Sequence, residues 1–138
     1  MVKVAFTGSF YPPHEGHRHV VEQAKLLGLD VIVFVANNPD KKYDMTLAER
    51  VDTARVFFGA SVVGCELDNI GEAIKENGCQ AIVRGIRDQR DYVYEEVITK
   101  YNLTRNGLPT IYIPAPDDLK GVSSTAIRAQ QYELQNQS

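Results

Sequence analysis

Short runs of β-branched and apolar residues alternate with helix-length amphipathic stretches along the whole chain, and this alternation constrains the fold more than any other feature. The first run, "VKVAFT" (Val2 to Thr7), is unbroken and apolar after Lys3, as a strand requires when both faces of its sheet are covered. A helix is expected from about Gly16 to Leu27, with Val20, Val21, Ala24 and Leu27 on one face and Gly28 as its stop. "DVIVFVA" reads as the second strand. "TLAE" (Thr46 to Glu49) has capping-box spacing and opens a helix to about Phe58, ended by Gly59. "ASVVG" is a weaker third strand, and Asp68 to Asn77 a third helix closed by Gly78. "AIVRG" is a short fourth strand, with a long polar helix from about Asp88 to Thr104 after it. "PTIYIP" makes the fifth strand, and "SSTAIRAQQYELQ" a last helix capped by Ser123 or Ser124.

Five such alternations in 138 residues imply a single domain of the α/β class: a Rossmann-like, doubly wound parallel five-stranded sheet with helices on both faces. The domain is expected to span 1–138, with 132–138 as a polar, frayed tail. The longest apolar run, "VIVFVA", is far short of a membrane span. The N-terminus, with one lysine, a short "VAF", then glycine and prolines, does not read as a signal peptide. Cys65 and Cys79 fit neither a CxxC pair nor a disulfide framework, so a reducing cytoplasm is expected. A net charge of −3 argues against broad nucleic-acid binding, which needs a positive field.

In doubly wound sheets ligands bind beyond the carboxyl ends of the strands, where strand order reverses. The unusual segments of this chain do follow strands: "GSFYPPHEGH", "NNPDKKYD", "RGIRDQRD" and "APDDLKGVSST". The first holds two of the chain's three histidines, His14 and His17, and His19 follows at once. A zincin needs two histidines four apart on one helix face, and here Arg18 occupies the second ligand's place. No further histidine exists to complete a metal site, so metal coordination is not expected.

Phosphate binding suits the segment better. Gly8 and Ser9 let the backbone approach a ligand, and the helix starting near Gly16 turns free N–H groups toward it. His14 and His17 then sit at a helix N-terminus, where the dipole disfavours a standing positive charge. They are expected to donate hydrogen bonds to phosphate oxygens, whereas His19 leaves that face and reads as an ordinary surface histidine. On spacing alone, a Pro-rich loop with two solvated histidines explains the pattern equally well. Lys41 and Lys42 follow the second strand, and Arg84 and Arg87 straddle the turn after the fourth. In an acidic chain, cations at several strand ends look like a cluster for a polyphosphate. Tyr94 and Glu95 could reach a ribose or base, with a plain helix surface as the default reading. "GVSST" repeats the anion-binding logic at the last helix. Neither GxxxxGK[ST] nor GxGxxG is present, which removes the P-loop and the usual dinucleotide fingerprint.

These segments resemble the nucleotidylyltransferase superfamily, whose signature is (H/T)xGH after the first strand and (I/V)SS(S/T)xxR near the end. The chain has "HEGH" (His14 to His17) and "VSSTAIR" (Val122 to Arg128). Within the superfamily it is most similar to the phosphopantetheine adenylyltransferases, through "GSFYPPHEGH", "ANNPDKKYDMTLAERV" and "IVRGIRDQRDYVYE". The resemblance runs from about Val2 to Arg128. It implies transfer of AMP from ATP to 4′-phosphopantetheine, giving dephospho-coenzyme A and pyrophosphate, in coenzyme A biosynthesis. Carried over residue by residue, it implies a catalytic set of Ser9, His17, Lys41 and Arg87. ATP would be held by Ser9, Phe10, His14, His17, Gly85, Ile86, Arg87, Glu95, Val122, Ser123, Ser124 and Thr125. The acceptor would meet Ser9, Lys41, Asn69 and Arg84. Mg²⁺ would be bound mainly through the substrate phosphates, with no metal ligands from the protein, and a homo-oligomer is implied.

The chain departs from the family pattern at His14, where Thr is usual, and at Tyr11, where Asp is usual. It also departs at Asn69, near which an apolar residue is expected, at Ala129 in place of Glu, and in its early end. His14 and the polar third segment fit an alternative acceptor such as nicotinamide mononucleotide. A nucleotide-binding protein without catalysis is a third reading, weakened by the presence of Ser9, His17, Lys41, Arg84 and Arg87 together.

Overall fold

A computed structural model describes residues 1–87, 99–100 and 103–136. In chain order it contains β1 (Lys3–Gly8), α1 (Glu15–Leu26), β2 (Asp30–Asn37), α2 (Leu47–Phe58) and β3 (Ser61–Glu66). A 3₁₀ turn (Leu67–Asn69) leads into α3 (Ile70–Glu76), then β4 (Ala81–Ile86) and β5 (Thr110–Pro114). A second 3₁₀ turn (Asp117–Leu119) precedes the last helix, here α4 (Ser124–Asn136). The helix expected between β4 and β5 lies mostly outside the described residues, as do Tyr94 and Glu95; residues 99–100 and 103–106 are helical.

The five strands form one all-parallel sheet in the order β3-β2-β1-β4-β5. β1 lies at the centre, with Val4 opposite Val31 of β2 on one side and Ala81 of β4 on the other. The chain therefore winds outward through β2 and β3, then returns across the sheet to lay β4 against the free side of β1. The strand order reverses between β1 and β4, and this is where a parallel sheet opens a crevice at its carboxyl edge.

The two-residue period of the strands sorts their side chains onto two buried faces. Val4, Phe6, Val33, Val35 and Val83 meet Val20, Val21 and Ala24 of α1 and Val51, Ala54 and Phe58 of α2. Ala5, Ile32, Phe34 and Ile82 turn the other way, toward Ile74 of α3 and Leu108. Coverage on both faces is why β1 and β2 read as continuous apolar runs. The α2 capping box forms as the sequence predicts: Thr46 accepts from the Glu49 N–H at 3.1 Å, and Glu49 accepts from the Thr46 N–H at 3.2 Å.

One element boundary differs from expectation. The third helix becomes α-helical only at Ile70, because Asn69 (φ −110°, ψ 9°) leaves helical dihedrals and the preceding residues tighten into a 3₁₀ turn. α4 ends at Asn136, within one residue of the expected helix end, since its Ala, Gln and Glu are good helix formers. Among the described residues, no helix is long and apolar enough to cross a membrane.

Candidate active site

A cleft of about 370 Å³ opens at the carboxyl ends of β1 and β4, at the reversal of strand order. Its volume falls in the range typical of small-ligand sites. Thr7 and Gly8 come from β1, and His14, Gly16, His17 and His19 from the start of α1. Arg84, Gly85, Ile86 and Arg87 come from the end of β4 and the residue after it. Ile113, Ala115, Leu119 and Val122 make an apolar side, and Ser123 and Ser124 bring in the start of α4. The N-termini of two helices thus meet the cleft, two arginines line it, and no carboxylate is among its described lining residues. Such a cavity is built for an anion attached to an apolar group.

The histidines carry the most specific geometry. His14 is the N-cap of α1: its Nδ1 accepts from the Gly16 N–H at 3.1 Å. His17, three residues on, accepts from the His14 N–H at its own Nδ1, also at 3.1 Å. The pair closes a capping box in which histidine nitrogens replace the usual hydroxyl and carboxylate oxygens. An Nδ1 that accepts carries no proton, so each neutral ring bears its hydrogen on Nε2. The two rings stack with centroids 3.7 Å apart, tilted by 19°. Burial, then the charges of His14 and Arg87, lower the His17 pKa from 6.5 to about 3. Burial and Arg87 also lower that of His14, against a smaller opposing effect of Glu15. Both rings are therefore neutral donors at pH 7, which the cap requires.

Sequence reasoning placed His19 away from this surface, and the structure corrects that. His19 lines the cleft, and its Nε2 lies 3.2 Å from the Pro114 carbonyl oxygen on β5. That oxygen can only accept, so Nε2 donates and α1 is tied to β5. The tie depends on β5 ending beside α1, which local spacing does not reveal.

Phe10, expected among the residues that hold ATP, has its side chain committed to packing. Its ring is 3% exposed and packs edge-on against Phe6, Phe58 and His17, with centroids 5.2, 5.3 and 4.8 Å away. Phe10 is not among the residues that line the cleft. Its φ of +48° is unfavourable for a non-glycine residue, and this packing holds it there. The ring covers Gly8, where a Cβ would lie 3.1 Å from Phe10 Cζ. Gly85 is constrained in the same way, since a Cβ there would meet Val20 Cγ2 at 2.9 Å. Glycine at 85 lets α1 press against β4 and brings His17 near the strand end.

On the arginine side, Arg84 donates from Nη1 to Thr7 Oγ1 at 3.3 Å, across the β1–β4 junction. Ser123 caps α4 by accepting from the Ala126 N–H at 3.0 Å, which decides between the two serines. Ser124 Oγ instead donates to the Pro12 carbonyl at 2.7 Å and joins α4 to the loop after β1. Thr125 lies one residue beyond the lining and accepts from Arg128 Nη2 at 3.4 Å.

Beside the cleft, Ser9 is partly buried, with its Oγ 3.2 Å from the Tyr43 hydroxyl. Lys41 and Lys42 are exposed on the segment after β2 and do not line the cleft. Asn69 is likewise exposed, beyond the end of β3. Arg50 was missed from sequence. It is 1% exposed and donates to the carbonyls of Ser9 and Ala36 at 3.2 and 3.1 Å and to Asn37 Oδ1 at 2.9 Å. The signal was available: Arg50 falls on the α2 stripe of Leu47, Val51, Ala54 and Phe58, where a charge must find buried partners.

A parallel sheet with a neutral-histidine cap and two arginines at its reversal point suits a nucleotidyltransferase, and the comparisons with known proteins show that class. Residues 5–130 match the family model described as cytidylyltransferase-like. Among named relatives, the phosphopantetheine adenylyltransferase of Arthrobacter sp. (strain FB24) is 35% identical over 133 residues, 93% of this chain and 83% of the relative. The one of Pasteurella multocida (strain Pm70) is also 35% identical over 133 residues, covering 93% and 84%. That of Histophilus somni (strain 2336) is 32% identical with the same coverage. The chain belongs to the phosphopantetheine adenylyltransferase family within the cytidylyltransferase-like class.

Proposed function

We propose that the protein transfers AMP from ATP to 4′-phosphopantetheine, forming dephospho-coenzyme A and pyrophosphate. The observation that carries this reading is the His14–His17 cap at the β1–β4 crevice, with two Nε2–H donors fixed by their own acceptor bonds and flanked by Arg84 and Arg87. An acceptor phosphate oxygen attacks the α-phosphorus, a new P–O bond forms, and the bond to the β-phosphate oxygen breaks. Pyrophosphate takes up the departing electron pair, so no covalent enzyme intermediate is needed. The protein's part is alignment of the reactants and stabilisation of the growing negative charge.

In this reading His17 donates to the α-phosphate region and His14 to a neighbouring oxygen. Arg87 and the N-terminus of α4, with Val122, Ser123, Ser124 and Thr125, hold the rest of the triphosphate. Gly85 and Ile86 bound the nucleoside beside the apolar wall of Ile113 and Leu119. Ser9, Lys41 and Arg84 receive the acceptor's phosphate; Asn69 belongs to the acceptor side, and Glu95 to ATP.

Among the described residues no group of three His, Cys, Asp or Glu side chains is placed to hold a metal ion. The cleft's donors are imidazole, guanidinium and hydroxyl groups. This set would leave a Mg²⁺ to be carried in by the nucleotide, whose phosphate oxygens would supply its ligands and whose charge it would partly neutralise. The free thiols of Cys65 and Cys79 support a reducing, cytoplasmic setting. Exposed Leu26, Leu27 and Val56 support self-association, which sedimentation would measure.

The deciding assay is pyrophosphate release from ATP and Mg²⁺, with 4′-phosphopantetheine and nicotinamide mononucleotide offered separately. Turnover with the first alone is expected. Turnover only with the second would reassign the acceptor, and ATP binding without turnover would make the protein a nucleotide binder.

A further inference from the structure

Two tyrosines that the reaction above leaves unused hold both ends of the segment bearing Lys41. We propose that Tyr11 and Tyr43 form a clasp that positions residues 38–44, and with them the acceptor's phosphate, beside Ser9. The clasp rests on the reading of Lys41 as a ligand of that phosphate.

The Tyr43 hydroxyl accepts from the Asn38 N–H at 3.4 Å and lies 3.2 Å from Ser9 Oγ. Either hydroxyl can supply the proton between Tyr43 and Ser9; when Tyr43 donates, the Ser9 O–H is left for a phosphate oxygen. At the other end of the segment, the Tyr11 hydroxyl accepts from the Asp44 N–H at 3.0 Å and donates to the Asp44 carboxylate. Between these anchors the chain is pinned to Asn38: Asp40 N–H donates to its Oδ1 at 3.0 Å, and Lys41 N–H to its carbonyl at 3.1 Å. Lys41 is thus exposed on a segment whose two ends are fixed by tyrosine hydroxyls.

The rings connect the clasp to the rest of the site. Tyr11 meets Tyr43 edge to face, with centroids 5.3 Å apart. The Arg50 guanidinium lies 3.7 Å from the Tyr43 centroid, and that of Arg128 lies 5.0 Å from the Tyr11 centroid. Arg128 also donates to the Tyr11 carbonyl. The result is a row, Arg50–Tyr43–Tyr11–Arg128, that runs from α2 to α4. Contacts of this kind are favourable electrostatically and by packing. Tyr11 gives the row its outer half.

The test replaces hydroxyls and keeps rings: Tyr11→Phe, Tyr43→Phe and the double variant. Amide hydrogen exchange across 38–44 is measured on the free proteins, together with the ATP Kd and the KM for 4′-phosphopantetheine. In the double variant, exchange within 38–44 should accelerate about tenfold or more, and the acceptor KM should rise about tenfold, with the ATP Kd within about twofold of wild type. A merely structural role would move both substrates together or neither, and either result overturns the proposal. So does unchanged exchange. If the wild-type protein does not turn over 4′-phosphopantetheine, the functional reading fails by itself. Exchange then decides the clasp: acceleration confined to 38–44 supports it, and none refutes it.

Discussion

His17 makes stability depend on pH in a way that can be isolated. Its Nδ1 must stay unprotonated to accept the His14 N–H, and burial with the nearby charges lowers its pKa from 6.5 to about 3. Below pH 6.5 the unfolded chain binds a proton at this position and the folded protein does not. Stability is therefore full above pH 6.5 and is lost as pH falls toward 3. At pH 5 the folded ring is still neutral, so the cost is set by protonation of the unfolded chain. That is about 1.5 units below 6.5, or about 2 kcal/mol relative to pH 7.5.

The control is His17→Gln. Glutamine is a normal partner at the third position of a capping box, where its Oε1 can accept the same N–H without titrating. Carboxylates titrate in both proteins, and their effects cancel in the comparison. Urea unfolding at pH 7.5, 6.0 and 5.0 should show wild type losing about 2 kcal/mol more than the variant across the range. Parallel curves, within about 0.5 kcal/mol, would refute the claim that His17 is held neutral by its cap and burial.

The same position should matter for rate: His17→Ala is expected to lower kcat by roughly 10²–10³ at pH 7.5, and a wild-type rate would remove His17 from the chemistry. Arg50→Met keeps the bulk but leaves the Ser9 and Ala36 carbonyls and Asn37 Oδ1 without their donor, so urea unfolding should register a loss of about 2–4 kcal/mol. Gly85→Ala drives a methyl against Val20 Cγ2, at a cost of about 1–3 kcal/mol, and calorimetry should find weaker ATP binding as α1 shifts from β4. Thr46→Ala removes one half of the α2 capping box, and its unfolding midpoint should reflect a loss of about 1 kcal/mol.

The sequence by itself determined the class of fold and the region of the site. Continuous apolar runs in β1 and β2 demand a sheet covered on both faces, and the Thr46–Glu49 pair and Gly59 bound α2. Odd segments after strands place the chemistry at the carboxyl edge. These are short-range signals, written in periods of two and 3.6 residues and in caps that satisfy neighbouring N–H groups. What each side chain does there was decided by tertiary structure. The HxGH spacing does not say that both Nδ1 atoms are used up as caps, because histidine rarely serves in that place. Phe10 looks like a loop residue until its ring is seen filling the space above Gly8 between α1 and α2. His19 gains its partner only because β5 ends beside α1, and Arg50 its partners only because β1 and β2 end beneath α2. These last two depend on strand order and register, which join residues 13 to 95 positions apart, beyond the reach of any local period.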